Sequence, residues 1–270
     1  GFIDISSTGT DLELSDDSEA AVTIPFSILY QGVLVNTCTV GNNGGMALGT
    51  TTAEIVSGGD MTSFNGNFIY PWGDDMDDES GNVYYETIGT APNRTFIVQW
   101  DDLCNFSGSA NAPTVTFQVQ FDEATGKFWF VYDDVVFGAP NASDDFGANA
   151  DIGVSGPNQD INISNNSPVY LQNNSCVEFY YTNCPKPKSF VTNSLGATDI
   201  QFGWTAGLSN ETNWIIEYGP QGFNPGEGIV LNETSNTSSI SGLTQLTAYT
   251  IYIYANCANG DTSMALIHNF

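Results

Sequence analysis

Positive charge is almost missing from this chain. Its 270 residues carry 4 Lys and Arg against 31 Asp and Glu, a formal net charge of −27. The four cations, Arg94, Lys127, Lys186 and Lys188, are scattered. A nucleic-acid surface needs clustered cations to displace the counter-ions around phosphates, and an anionic membrane surface makes the same demand, so neither partner is expected. Histidine is nearly missing too. His268 stands alone, which removes His-based triads and most His-ligated metal chemistry. No apolar stretch approaches the 18 residues of a membrane span, so direct membrane insertion is not expected. Cys38, Cys104, Cys176, Cys184 and Cys257 form no Cys-x-x-Cys pair, and without histidines to complete a tetrahedral set zinc is not expected either. The chain opens at Gly1 with no basic, apolar leader and stops at Phe270, which reads as a mature chain or a portion of something longer.

What is present builds cores. Hydrophobic residues make up 41% and aromatics 13% of the chain, so the acidity does not signal disorder. The 28 glycines, the abundant Asn, Ser and Thr, and short apolar runs alternating with polar residues give an all-β reading with no amphipathic helix. The length suits one large or two ordinary domains. The five cysteines fit an oxidising, extracellular setting with at most two internal disulfides and one thiol left over. Asn-x-Ser/Thr sequons, among them Asn93, Asn105, Asn141, Asn210 and Asn232, fit either glycosylation or the chance yield of a chain rich in these residues.

The strongest change of character falls at Asn183-Cys184-Pro185-Lys186-Pro187, where two prolines stiffen the backbone and deny ladder donors. The expected domains are therefore 1–183 and 184–270. Residues 184–270 hold six acids and two lysines, 2 − 6 = −4, whereas residues 1–183 hold 25 acids and two cations, 2 − 25 = −23. In the second segment Ile200, Phe202 and Trp204 alternate, then Trp214, Ile216 and Tyr218, then Tyr249, Ile251 and Ile253, with Gly/Pro/Asn turns between. Together with Cys184-Pro-Lys-Pro, Trp214-Ile-Ile-Glu-Tyr-Gly-Pro-Gln-Gly and Gly242-Leu-Thr-Gln-Leu-Thr-Ala-Tyr, this segment resembles a seven-stranded fibronectin type III sandwich. Leu243 and Tyr249 stand as in that family's tyrosine corner, with Gln245 in place of its usual proline. The resemblance implies that Cys184 and Cys257 pair, a closure that stabilises by roughly 4 kcal/mol in the chain-entropy model. Asn259-Gly260-Asp261 falls where some such modules present an integrin-binding tripeptide; without the arginine it reads as a hairpin turn.

Residues 1–183 give strand candidates at Ala21–Phe26, Leu34–Val40, Val83–Ile88, Phe96–Trp100, Val115–Phe121 and Lys127–Val131, consistent with a larger antiparallel β-sandwich or jelly roll. The segments Val40-Gly-Asn-Asn-Gly-Gly, Tyr70-Pro-Trp-Gly-Asp-Asp, Asn93-Arg-Thr-Phe-Ile-Val-Gln-Trp, Thr116-Phe-Gln-Val-Gln-Phe and Phe128-Trp-Phe-Val-Tyr-Asp-Asp-Val are similar to a nidogen-like β-domain of bacterial surface proteins.

The densest chemistry runs from Trp72 to Glu86. Asp74, Asp75, Asp77, Asp78, Glu79 and Glu86 are the candidate metal ligands. Neighbouring carboxylates repel even in water, and calcium, which takes six to eight oxygens in irregular loops, is the expected cofactor if this is more than a solvated acidic turn. Asp75, Asp77, Glu79 and Glu86 fall at places one, three, five and twelve of a calcium-loop pattern, but Gly81 comes one place late and strands flank the loop, so it is not an EF-hand. The acidic pairs Asp16-Asp17, Asp101-Asp102, Asp133-Asp134 and Asp144-Asp145 should straddle a sheet or sit at strand ends. Nothing selects from them the spaced pair a glycosidase requires, and no enzyme is expected. Trp72, Trp100, Trp129, Tyr84 and Tyr85 fit either a sugar-stacking face or, by alternation, the core. Cys38 and Cys104, each near a strand end, are the preferred couple of this domain, leaving Cys176 over.

Both resemblances imply a non-catalytic adhesion or spacing module, an adhesin or surface-filament segment at the cell surface or outside the cell, of the kind exported by the type IX system of gliding Bacteroidota. Its expected partners are other surface proteins, glycans or copies of itself. The alternative is a carbohydrate-binding accessory region of a secreted polysaccharide-degrading enzyme.

Overall fold

The computed structural model describes residues 1–56, 65–77, 79–106, 113–157, 159–165, 171–180, 182, 184–208, 211–257 and 261–270. The chain divides into two compact units, Gly1–Tyr181 and Thr182–Phe270. Every ladder is antiparallel, and the described residues contain no α-helix.

In the first unit the strands are β1 (Thr10–Asp11), β2 (Glu19–Tyr30), β3 (Val33–Gly41), β4 (Gly45–Leu48), β5 (Phe68–Gly73), β6 (Met76–Asp77), β7 (Asn82–Thr90), β8 (Asn93–Asn105), β9 (Thr114–Asp122), β10 (Phe128–Asp134), β11 (Asp151–Val154), β12 (Ile161–Ser164) and β13 (Ser175–Phe179). One sheet runs β1-β7-β8-β9-β10-β13 with β6 alongside β8; the other runs β12-β11-β5-β4-β3-β2. Alternation places Phe96, Val98 and Trp100 of β8 on the face that meets Val22, Ile24 and Val40 of the other sheet, in one continuous apolar core. Trp72 and Trp100 both stack on Phe117, at 5.9 and 5.3 Å between ring centroids, tying the two sheets together.

The segment Gly41-Asn-Asn-Gly-Gly forms the β3–β4 hairpin, and that turn is entirely buried. Its residue types follow from what surrounds it. Gly44 has φ +69°, and a Cβ there would run into the carbonyl oxygen of Trp72. The Trp100 indole donates to the Gly41 carbonyl at 2.8 Å. A buried turn must have its polar groups satisfied from within, and the side chains of Asn42 and Asn43 do this by bonding to β6, as described below.

The second unit contains β14 (Lys188–Leu195), β15 (Asp199–Thr205), β16 (Trp214–Pro220), β17 (Ile229–Glu233), β18 (Thr237–Ser241), β19 (Tyr249–Ala255) and β20 (Leu266–Asn269). Its sheets are β14-β15-β18 and β17-β16-β19-β20. Ile200, Phe202, Trp204, Trp214, Ile216, Ile251 and Ile253 fill the space between them. The Tyr249 hydroxyl accepts a bond from the Thr244 N–H at 3.0 Å, fixing the turn before β19, and Cys184 is joined to Cys257. Asn259 and Gly260 lie outside the described residues.

Cys38 and Cys104 do not pair; both are free and buried, and Cys176 is free and exposed. The reason lies in β8. A bulge between Trp100 and Leu103, with Asp102 at φ +51°, shifts the alternation by one residue. Leu103 therefore joins the core while the Cys104 thiol turns to the Asp77 carbonyl at 3.5 Å. Cys38 points into the core from β3 in the opposite sheet, and burial pushes its thiol up to about 12.

Candidate functional site

Strand β5 ends at Gly73, and the chain turns through Asp74 and Asp75 into β6, which pairs with β8 through Met76↔Asn105 and Asp77↔Cys104. Alternation works here over three residues: Met76 is fully buried while Asp75 and Asp77 are not. The buried hairpin holds this short strand. Asn42 donates to the Met76 carbonyl at 2.8 Å, and the Met76 N–H donates to the Asn43 side-chain oxygen at 3.1 Å.

The same Asn43 amide reaches a second acidic segment, donating to Asp17 Oδ1 at 2.9 Å. Asp17 sits at φ +53° in the turn before β2, where Ser18 bonds back to Ser15, and the Asn42 N–H donates to the Ser18 carbonyl. One asparagine thus sets the distance between two loops about sixty residues apart in sequence. The result is a cluster in which carboxylate oxygens of Asp16, Asp17 and Asp75 lie within 4.8 Å of one another.

Among the described residues no ion pair reaches this cluster. Burial, then Asp17, Asp16 and Asp77, raise the Asp75 pKa; burial, then Asp17 and Asp77, raise that of Asp16. Asp74 turns the other way, its Oδ1 accepting from the Asp75 N–H at 2.8 Å. Burial pushes its pKa up to about 6, with the charges of Asp144, Asp75 and Asp151 adding to the rise and the Asp75 N–H opposing it.

Among the described residues expected as ligands, only Asp75 belongs to the cluster, with Asp77 close enough to add its field. Asp77 accepts from the Glu79 N–H at 3.2 Å, and Asp78 lies outside the described residues. Glu86 is far along β7, opposite Ile97, where it accepts from the Thr8 hydroxyl at 2.6 Å. Among the described residues the carboxylates gathered together are those of Asp16, Asp17 and Asp75, with Glu86 apart from them. Asp16 and Asp17 lie beside Asp75 where Glu86 does not, and it is the buried Asn-Asn turn that links the two segments. With oxygen donors alone, this set fits a hard divalent cation such as calcium, which would complete its shell with water.

The aromatic residues separate. Trp72 and Trp100 are fully buried core residues, so of the five aromatics expected to stack on a sugar, half-buried Trp129, Tyr84 and Tyr85 are those within reach of solvent. Trp129 is engaged, its indole donating to Glu178 at 3.0 Å. Both cations of the unit are in ion pairs, Arg94 with Glu123 and Lys127 with Glu178. Of the sequons, Asn93 and Asn232 are exposed, Asn105 and Asn141 are half-buried, and Asn210 lies outside the described residues.

A family model described as NIDO related matches residues 1–192, the whole first unit and the opening of the second. A comparison with curated proteins gives no match. Among solved structures, a computer-redesigned β-sandwich protein is similar over 32% of this chain and 90% of its own, at 17% identity and a TM-score of 0.29.

Proposed function

Because this chain belongs to the NIDO-related family, we propose that it is a non-catalytic extracellular adhesion module, an adhesin or surface-filament segment of the kind that type IX secretion delivers in Bacteroidota. The family match over residues 1–192 carries this reading, and the Cys184–Cys257 disulfide supports an oxidising location. In the second unit, the three-plus-four strand arrangement and the Tyr249 corner support a fibronectin type III spacer. Calcium held between Asp16, Asp17 and Asp75 would brace the turn before β2 against the β5–β6 turn, lending stiffness to the module that bears the load.

Sedimentation and glycan-array binding of the purified chain, with and without calcium, test this. Self-association or capture of a surface protein, without glycan cleavage, is expected. Glycan binding lost in Trp129→Ala would move the reading to a carbohydrate-binding accessory region. Hydrolysis of any polysaccharide, or the absence of self-association and of every surface ligand, would sink it.

A further inference from the structure

Strands β8 and β9 carry glutamines at alternate positions, Gln99, Gln118 and Gln120, opposite in parity to the core aromatics Phe96, Trp100, Phe117 and Phe121. Such residues should face water, yet their exposures are 0%, 0% and 6%. Ile97 and Val131, on the same outward face by register, are also buried although neither belongs to the core cluster.

What covers them is the first segment of the chain. Residues 1–5 run across this face outside any ladder, with the glutamine amides standing in for a partner strand. The Ile5 N–H donates to Gln99 at 2.9 Å, the Ile3 N–H to Gln118 at 3.4 Å, and the Gln118 and Gln120 amides donate to the carbonyls of Ile3 and Gly1 at 2.6 and 3.1 Å. The amides also chain to one another, Gln120 to Gln118 to Gln99. This groove reads an extended main chain from both its donors and its acceptors, and two side chains besides: the Gln99 amide donates to Asp4 Oδ1 at 3.1 Å, and Ile5 is the one side chain of the strap that is fully buried.

The strap is joined to β1 by a single turn. Ser6–Gly9 form a turn closed by the Thr8 and Gly9 N–H groups on the Ile5 carbonyl before β1 begins. Asp4 accepts from the Ser6 N–H at 2.9 Å and from the Gln99 amide at 3.1 Å, bonds that hold its carboxyl below the usual range although it stands within the fields of Asp101 and Asp133. Opening that turn together with the bonds to Gln99, Gln118 and Gln120 releases residues 1–5 and leaves Ile97, Val131 and three amides without cover.

We propose that this groove is a docking site for the first segment of a second copy of the chain: two copies exchange residues 1–5 reciprocally, each strap lying over the glutamines of its neighbour. Every contact made within one copy forms again between two, so exchange requires no new complementary surface and closes a symmetric dimer. The inference rests on the reading that copies of this chain associate, and gives that association a site.

The test uses a chain lacking residues 1–8 and a synthetic peptide of residues 1–8. The shortened chain is expected to bind the peptide at least tenfold more tightly than the full chain, whose groove is filled, and Gln118→Leu in the shortened chain should weaken binding at least tenfold. Full chain that is concentrated and warmed should give dimers that excess peptide dissolves. A folded shortened chain that ignores the peptide, or self-association that persists when residues 1–8 are removed, overturns the exchange, the latter while leaving adhesion by another surface intact. Hydrogen exchange on the unaltered protein guards against misfolding of the variant. The Ile3 and Ile5 amides should exchange at least a hundredfold faster than Val98 and Val119 in the ladder, and equal rates would mean that the strap leaves only with global unfolding.

Discussion

The two units hold themselves together by different means. The second has a small apolar core and a covalent staple, Cys184–Cys257. The first has a larger aromatic core but also buries side-chain amides, Asn42, Asn43, Gln99, Gln118 and Gln120, each bonded to main chain or to another amide. It carries nearly all the negative charge, and its two cations are spent on Glu123 and Glu178. A unit so short of cations leaves its other carboxylates to hydrogen bonds, to protons, or to ions taken from solution. Charge and pH should therefore act on the first unit, and reductant on the second.

Reduction should break the comparison most sharply. The disulfide closes 73 residues, and in the chain-entropy model losing it costs about 4 kcal/mol. For a unit of this size that lowers the melting temperature by roughly 20 °C. Calorimetry of the Cys184→Ala/Cys257→Ala chain should show the second unit's transition fall by that order while the first unit's stays in place, since Cys38, Cys104 and Cys176 are already free. A shared drop would mean that the two units unfold as one.

Asp74 should give the next largest effect, confined to the first unit. Its pKa is about 6 in the folded chain against 3.8 unfolded. Between those values the folded state keeps a proton that the unfolded state has lost, so stability falls as pH rises through this window and stays lower above it. The penalty at neutral pH is about 3 kcal/mol. Asp74→Asn keeps an oxygen for the Asp75 N–H, gives up the long 3.5 Å bond from the Asn105 amide, and removes the charge. It should raise the first unit's melting temperature at pH 7.5 by roughly 6 to 12 °C, and most of the gain should vanish by pH 4. An unchanged or lower value at pH 7.5 would show that Asp74 is stabilised in its charged form.

How much of this could be read in the sequence depends on whether the signal was periodic. Strands such as β8, β9, β16 and β19 announce themselves by alternation, and the Tyr249 corner by its spacing from Leu243. The Asn-Asn-Gly-Gly turn was legible as a turn but not as a buried one, because burial comes from Trp72 and Trp100, which arrive from other strands. Cys104 was misread because a bulge inverts parity without leaving a mark in composition. The glutamines of β8 and β9 obeyed alternation and yet lay under cover, since the strap shielding them is about a hundred residues away in sequence. The acidic cluster is hidden for the same reason: a window of consecutive residues contains Asp75 but not Asp16 and Asp17, which are brought beside it by a hairpin that lies between them in the chain.

Calcium should produce the smallest shift, and the one that decides whether the acidic cluster is more than a charged surface. A weak site with a dissociation constant near a millimolar, exposed to about ten times that concentration, gains about 1.4 kcal/mol from mass action, a few degrees in the first unit and none in the second. Asp75→Asn should abolish the response. Without calcium the same change should stabilise slightly, because burial and the charges of Asp17, Asp16 and Asp77 already oppose ionisation of that carboxyl. These opposite signs separate a ligand from a bystander: a calcium ligand hurts the folded state until the ion arrives, whereas a solvated surface carboxylate is indifferent to both. If calcium leaves the first unit's melting temperature unmoved, the three carboxylates hold no ion, and Asn43 serves only to pin one turn to another.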